Sequence, residues 1–202
     1  MNSRLNRAVS VASLVCILSS SSSAQITTCN NWVRIRTVPN TIEIDPVQCT
    51  TGGTTGSVTS LTFTVTGIGQ SQSGVVIVEP LISSVSLGNI TINTPQGAAV
   101  NLLVQPSGAN TFSSLGSVTN NGLGELWIGL LRINGSISGS VIAQSINELD
   151  SDGDILGEIR STGSLPNGQG QPGRLVLVRS RDGSILADII AKENIEVIDA
   201  AQ

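Results

Sequence analysis

DGDILGEI occupies residues 152–159, DGSILADI residues 182–189, and a third version, NGSISGSV, residues 134–141. One short phrase written three times in the last third of a chain points to stacked structural units, so its spacing carries information about architecture. From Gly135 to Gly153 is 18 residues and from Gly153 to Gly183 is 30, an excess of 12 over the first interval. The segment 162–173, TGSLPNGQGQPG, is itself 12 residues long and made of turn formers. Taken as a loop thrown out of a regular coil, it leaves a period of 18 in both intervals.

The phrase also has the internal chemistry of one coil. Asn134-Gly135, Asp152-Gly153 and Asp182-Gly183 are turn dipeptides whose residues tolerate positive φ, so each is expected to turn the chain into the strand that follows. In that strand Ile137, Gly139 and Val141 point one way, with Ile155, Gly157, Ile159 and Ile185, Ala187, Ile189 as their equivalents. Stacking predicts two aliphatic ladders with a Gly/Gly/Ala ladder between them, the small residues standing where opposing walls approach. Glu158 and Asp188 then face outward in adjacent coils, roughly 4.8 Å apart at the backbone. They repel unless Arg160 or a cation lies between them.

The rest of the chain reads as strand too. It is rich in Val, Ile, Thr, Ser and Gly, contains a single Lys, and outside its first residues has no helix-length stretch with an i, i+3, i+4, i+7 apolar face. SLTFTVT at 60–66 alternates Leu61, Phe63 and Val65 with Thr62, Thr64 and Thr66, the period-two pattern of a half-buried strand. Residues 75–78, 90–92, 100–104, 126–133 and 175–178 extend the pattern, and SLGNIT at 86–91 matches SLGSVT at 114–119. The expected fold is therefore all-β: a right-handed parallel β-helix, or β-solenoid, over 86–202, with an N-terminal β cap region over 25–85 covering its first coil. A left-handed coil of three six-residue sides shares the period of 18, but the apolar positions keep no six-residue spacing. The closing ENIEVIDAAQ reads as a strand through Ile195 and Val197 without an obvious cap, which leaves end-to-end self-association or a longer series of coils as the alternatives.

The first 24 residues have the parts of an export signal. Arg4 and Arg7 form a positive start, Ala8 to Leu18 is mainly apolar, and a Ser tract ends at Ala24 with small residues at the positions a signal peptidase reads. The run is too short for a membrane anchor, which needs about 20 apolar residues. The expected location is secreted, or cell surface or periplasmic, after cleavage near Ala24. The remaining residues carry 8 basic against 14 acidic side chains, a net of −6. That balance disfavours nucleic acid and anionic membrane surfaces as partners. Cys29 and Cys49 are then the remaining cysteines, expected to form one disulfide in an oxidising compartment. The alternative, a two-ligand metal site, finds no His and no further Cys to complete a zinc shell of the usual kind.

The phrase [DN]-G-[DS]-I-x-[GA]-x-[IV] resembles the short Gly-Asp-Ile-type repeats of secreted bacterial parallel β-helix proteins, over residues 134–191 and more loosely from 86 onward. That class, pectate-lyase-like in the broad sense, includes polysaccharide enzymes, surface adhesins and structural spikes. The resemblance implies an enzyme as one expectation, with Asp150, Asp152, Asp154 and Glu158 as carboxylates and Arg160 or Arg174 as the base of a calcium-assisted lyase. Against catalysis stands aromatic poverty: Trp32, Trp127, Phe63 and Phe112 are the aromatic residues, and Phe63 and Trp127 fall in apolar strand patterns that suit a core. Without His, imidazole mechanisms are excluded.

Calcium is the one cofactor with a foothold. Asp150, Asp152, Asp154 and Gly153 resemble the front of a calcium-binding loop, but its twelfth place is Ile159, with Glu158 one residue early. An acidic, solvated turn and a bound calcium remain the two readings of those four acids. The sequence as a whole is expected to specify a non-catalytic solenoid that displays its outer ladders to a polysaccharide or a surface protein. A carbohydrate-active enzyme or carbohydrate-binding module is the alternative.

Overall fold

A computed structural model describes residues 25–38, 42–163 and 173–201. The expected export signal and most of the expected loop, residues 164–172, lie outside the described residues. In chain order the strands are β1 (Ile26–Cys29), β2 (Val33–Val38), β3 (Glu43–Thr51), β4 (Ser57–Thr66), β5 (Ser73–Pro80), β6 (Ser84–Asn93), β7 (Ala99–Val104), β8 (Thr111–Leu115) and β9 (Val118–Asn120). They continue as β10 (Glu125–Ile133), β11 (Ser136–Ile137), β12 (Val141–Ala143), β13 (Ser145–Ser151), β14 (Ile159–Ser161), β15 (Arg174–Ser180), β16 (Ile189–Ala191) and β17 (Asn194–Ala200).

These strands form two walls. The first runs β1-β2-β5-β7-β10-β13-β15-β17, the second β11-β8-β6-β9-β12-β14-β16 with β4 beside β6 and β3 beside β4. From β4 and β5 onward every pairing between these strands is parallel, and the chain alternates between walls, so the fold is an all-β solenoid of about five turns. Parallel pairing thus begins at Ser57, inside the stretch 25–85 expected to be a cap. Among the described strands the antiparallel ladders are those of β1, β2 and β3, a hairpin against β5 and an edge strand against β4. The disulfide joins Cys29 at the end of β1 to Cys49 in β3, so it ties the two walls together where the antiparallel strands lie.

Aliphatic ladders fill the space between the walls. On the second wall Val58, Leu87, Leu115, Ile137, Ile155 and Ile185 stack in one row, and Leu61, Ile90, Val118, Val141, Ile159 and Ile189 in another. The phrase seen three times in the sequence is therefore written six times in the structure. The first three versions, two of which are the matching SLGNIT and SLGSVT, do not align with the last three because their two aliphatics stand three residues apart, as in Leu87 and Ile90, while those of the last three stand four apart, as in Ile137 and Val141. Facing them on the first wall, Val76, Leu102, Ile128, Ile146, Leu175 and Ile195 form one row. Each buried Val, Leu or Ile of these ladders contributes about 1.5–3 kcal/mol by leaving water.

The small-residue ladder has a different cause from the one expected. A Cβ on Gly139 would stand 2.8 Å from the Gly116 carbonyl carbon, and one on Gly157 2.1 Å from the Gly139 carbonyl oxygen. Neighbouring coils, not opposing walls, crowd these positions. The turn dipeptides fall at bends as expected, but Gly135, Gly153 and Gly183 do not take positive φ, which occurs at Gly56, Gly67, Gly97 and Gly108. A Cβ on Gly135 would meet the Ser113 carbonyl oxygen at 1.8 Å, so close approach again selects glycine there.

The expected 12-residue insertion divides in two. β15 pairs with β13 at an offset of 29, whereas Ile155 pairs with Ile185 at an offset of 30. Eleven of the extra residues thus lie before β15, where Gly163 and Gly173 meet at the base of the excursion. The twelfth falls in the turn between Ser180 and Ile185, where the extra residue is Arg181.

Candidate functional site

The outer sides of the two walls carry the side chains available for function. On the first wall, Arg132 pairs in register with Asp150, Asp150 with Arg179, and Arg179 with Asp199, a row whose charge alternates from coil to coil. The same row begins with Arg34 opposite Glu79, whose carboxylate also accepts from Gln105 Nε2 at 3.0 Å. Successive coils stack about 4.8 Å apart, so alternation turns what would be repulsion into attraction.

Asp150 sits at the centre of this row, its side chain 1% exposed. Arg132 donates to it through Nε at 3.1 Å and Nη2 at 2.8 Å, and Arg181 through Nε at 2.8 Å and Nη2 at 2.5 Å. The Arg181 guanidinium, with Arg132 adding to it against the opposing effect of burial, holds the Asp150 carboxyl below the usual carboxylate range. Contact with Asp150 likewise pushes Arg181 up. Glu79 is the equivalent in the first coil. Burial pushes its carboxyl up, but hydrogen bonds from Arg36, Gln105 and Arg34 outweigh burial and hold it at about 2.

The four acids singled out as a calcium set each have a partner within the chain, Asp150 and Asp152 sharing Arg181. Asp150 is enclosed by two guanidiniums, Asp152 lies 3.8 Å from Arg181 Nε, and Asp154 Oδ1 accepts from the Ser184 backbone N–H at 2.8 Å. Glu158 pairs with Arg160, whose Nε donates to it at 2.6 Å. Among the described residues no group of three or more acidic, Cys or His side chains is placed to hold a metal ion. The arginines considered as bases are engaged in the same way, Arg160 with Glu158 and Arg174 with Glu196.

The second wall presents a different outer surface over its first coils. Ser57, Ser86, Ser114 and Ser136 form one row, with Ser86 Oγ and Ser114 Oγ 2.8 Å apart. Thr62, Thr91 and Thr119 form a second row, and Thr64 beside Asn93 starts a third. All of these side chains are half-buried or exposed, and none is charged. Further along the same wall the outward positions include Asp154, Glu158, Arg160 and Asp188, together with exposed Leu156, Leu186 and Ile190.

Trp127 is not in the core. It pairs with Asn101 on one side and Ser145 on the other, is half-buried, and its Nε1 donates to Glu125 at 2.9 Å on the outer side of the first wall. Phe63 and Phe112, by contrast, are fully buried. A shallow polar hollow lies near β17, lined by Arg179, Ser180, Arg181, Asp199, Ala200 and Ala201. Its two guanidiniums already face Asp199 and Asp150. Among the described residues no helix is long and apolar enough to cross a membrane. No protein-family model, no curated protein and no solved structure matches the chain.

Proposed function

We propose that the chain is an exported, non-catalytic β-solenoid with a structural or adhesive role at a cell surface or in an extracellular matrix. One observation carries this reading: each of the described arginines, Arg34, Arg36, Arg132, Arg160, Arg174, Arg179 and Arg181, is ion-paired to a carboxylate. A guanidinium held by a carboxylate has fewer donors left for an acidic sugar and is harder to deprotonate as a base. Here all of these pairs except Arg160 with Glu158 join neighbouring strands or coils, and the Ser/Thr rows are what the first coils of the second wall display. The resemblance of the repeats to secreted parallel β-helix proteins supports export and surface placement in the same way.

The test is to incubate the purified protein with acidic and neutral polysaccharides, with and without calcium, and to record bound protein and released sugar ends. Binding without release agrees with the adhesive reading. Release that vanishes in Asp154→Asn or Arg160→Gln defeats it and places chemistry on the repeated turns.

A carbohydrate-binding module is the second reading, favoured by the outward placement of Trp127 beside Glu125. Aromatic rings of this kind give a sugar an apolar surface to stack on. Loss of polysaccharide binding in Trp127→Ala, with binding kept in Thr91→Lys on the other wall, would select this reading.

A further inference from the structure

We infer that the outer side of β10, around Trp127 and Asn101, is a binding subsite for a neutral, β-1,4-linked pyranose chain. The inference rests on the carbohydrate-binding reading and adds to it a polar partner and a class of sugar. Three features of one patch lead there. The first is the indole. Trp127 Nε1 donates to Glu125 Oε2 at 2.9 Å. The two side chains leave one strand two residues apart, so the bond holds the ring along the wall, one face inward and one outward, in keeping with its half-burial.

The second feature is Asn101, which pairs in register with Trp127 from the neighbouring coil. Its Oδ1 is enclosed and accepts from no donor, the one buried side-chain polar atom in that state among the described residues. Such an atom costs stability, and the fold does not ask for it, since the same row holds Val75 one coil earlier. The third feature is Gly129, the extra residue of a β-bulge: Ile128 faces Leu102 and Leu130 faces Leu103, with Gly129 between them. A Cβ there would stand 2.7 Å from Asn101 Oδ1 and 2.6 Å from Leu103 Cδ2, so glycine leaves the amide its place.

These groups define the occupant. A pyranose ring with equatorial hydroxyls lays its C–H face on an indole and carries hydroxyl donors around its rim. The last torsion of an Asn side chain is soft, so the Asn101 amide can turn to accept from one of them. A flat wall suits the extended ribbon of a β-1,4-linked chain. An acidic sugar is disfavoured, because Glu125 stands beside the ring and Arg132, the basic residue of the same strand, is already paired with Asp150 and Glu148.

The experiment uses the purified protein, with cellohexaose and an oligogalacturonate of equal length as probes. In Trp32→Phe, which leaves Trp127 as the remaining tryptophan, cellohexaose is expected to shift the emission saturably and the oligogalacturonate to leave it unchanged. By calorimetry Asn101→Val is expected to bind cellohexaose roughly tenfold more weakly than the parent. The same variant should melt at a higher temperature, because it removes the unpaired group, a combination that a residue held for the fold alone does not give. Asn101→Thr, which returns an acceptor of similar size, should recover part of the affinity. Cellohexaose binding that does not move the Trp127 emission, or that Asn101→Val does not weaken, overturns the site and leaves a carbohydrate-binding module standing. A lower melting temperature in Asn101→Val, or a preference for the oligogalacturonate, overturns it as well. Binding of other polysaccharides but not of cellohexaose defeats this inference alone, and binding of none defeats the carbohydrate reading with it.

Discussion

On the first wall, the steps from Val76 to Leu102 and from Leu102 to Ile128 each take 26 residues, whereas the next, from Ile128 to Ile146, takes 18. The two halves share a core, since the aliphatic rows run through both without a break. They differ in how they turn and in what they show outside. The long coils turn at residues with positive φ, such as Gly97 at 75° and Gly108 at 63°, and carry Ser and Thr on the second wall. The short coils turn at Gly135, Gly153 and Gly183 without positive φ, and on the same wall carry Asp154, Glu158, Arg160 and Asp188 among exposed Leu156, Leu186 and Ile190. Glycine is thus required for two physical reasons in one molecule: backbone conformation at turns of the long coils such as Gly97 and Gly108, and closeness of the neighbouring backbone, which selects Gly88 and Gly122 in the long coils as it does Gly135 and Gly157 in the short ones.

The sharpest way to break this contrast is to add a side chain between two short coils. Gly157→Val puts a branched Cβ where the Gly139 carbonyl stands, 2.1 Å away, and backbone cannot yield as a flexible side chain can. The expected cost is about 3 kcal/mol or more, from overpacking, read as a lower urea midpoint. A loss below about 1 kcal/mol would mean that adjacent coils separate easily, and the closeness argument would fall with it.

The two carboxylates enclosed by guanidiniums, Glu79 in the first coil and Asp150 in the short ones, offer a second comparison. Glu79 in the folded protein has its pKa near 2, below the ordinary Glu value of about 4.3. The unfolded chain therefore takes up the proton first on acidification. The stabilisation from this site is complete above about pH 4.3 and disappears as pH falls toward 2, about 3 kcal/mol in all. Urea midpoints measured at about pH 5 and about pH 2.5 for the protein and for Glu79→Gln check it. The variant should lose less between the two values than the parent. Asp150 is shifted in the same direction, so Asp150→Asn should flatten the same limb of the profile.

What the sequence disclosed of all this was the part written locally. The aliphatic alternation of 137–141, 155–159 and 185–189, the bends at the Asx-Gly pairs and the pairing of Cys29 with Cys49 are legible because neighbours along the chain, or a count of cysteines, determine them. Trp127 was misplaced because Leu126, Trp127 and Ile128 are three apolar residues in succession, and such a run does not say which of them face inward. The acids at 150–154 resembled an ion-binding loop because the groups that occupy Asp150 come from 18 residues before and 31 after it. Arg181 is the residue that made the repeat interval 30 instead of 29. Its role becomes visible only when the coils are stacked and its guanidinium folds back onto Asp150.

The smallest expected effect separates the two uses of glycine most cleanly. A Cβ on Gly108 would have no atom within 4 Å, so space is not what selects glycine there; its φ of 63° is. Gly108→Ala should therefore cost about 1 kcal/mol, the strain of a left-handed conformation. Gly108→Asn should cost less, because Asn adopts that conformation more readily. At Gly157 the order is expected to invert: Ala, the smaller residue, is the milder change, and Asn is as damaging as Val because its bulk meets the same carbonyl. Four thermal melts decide the matter. If Asn outranks Ala at both sites, conformation governs glycine throughout the coil, and if Ala outranks Asn at both, contact between neighbouring coils does.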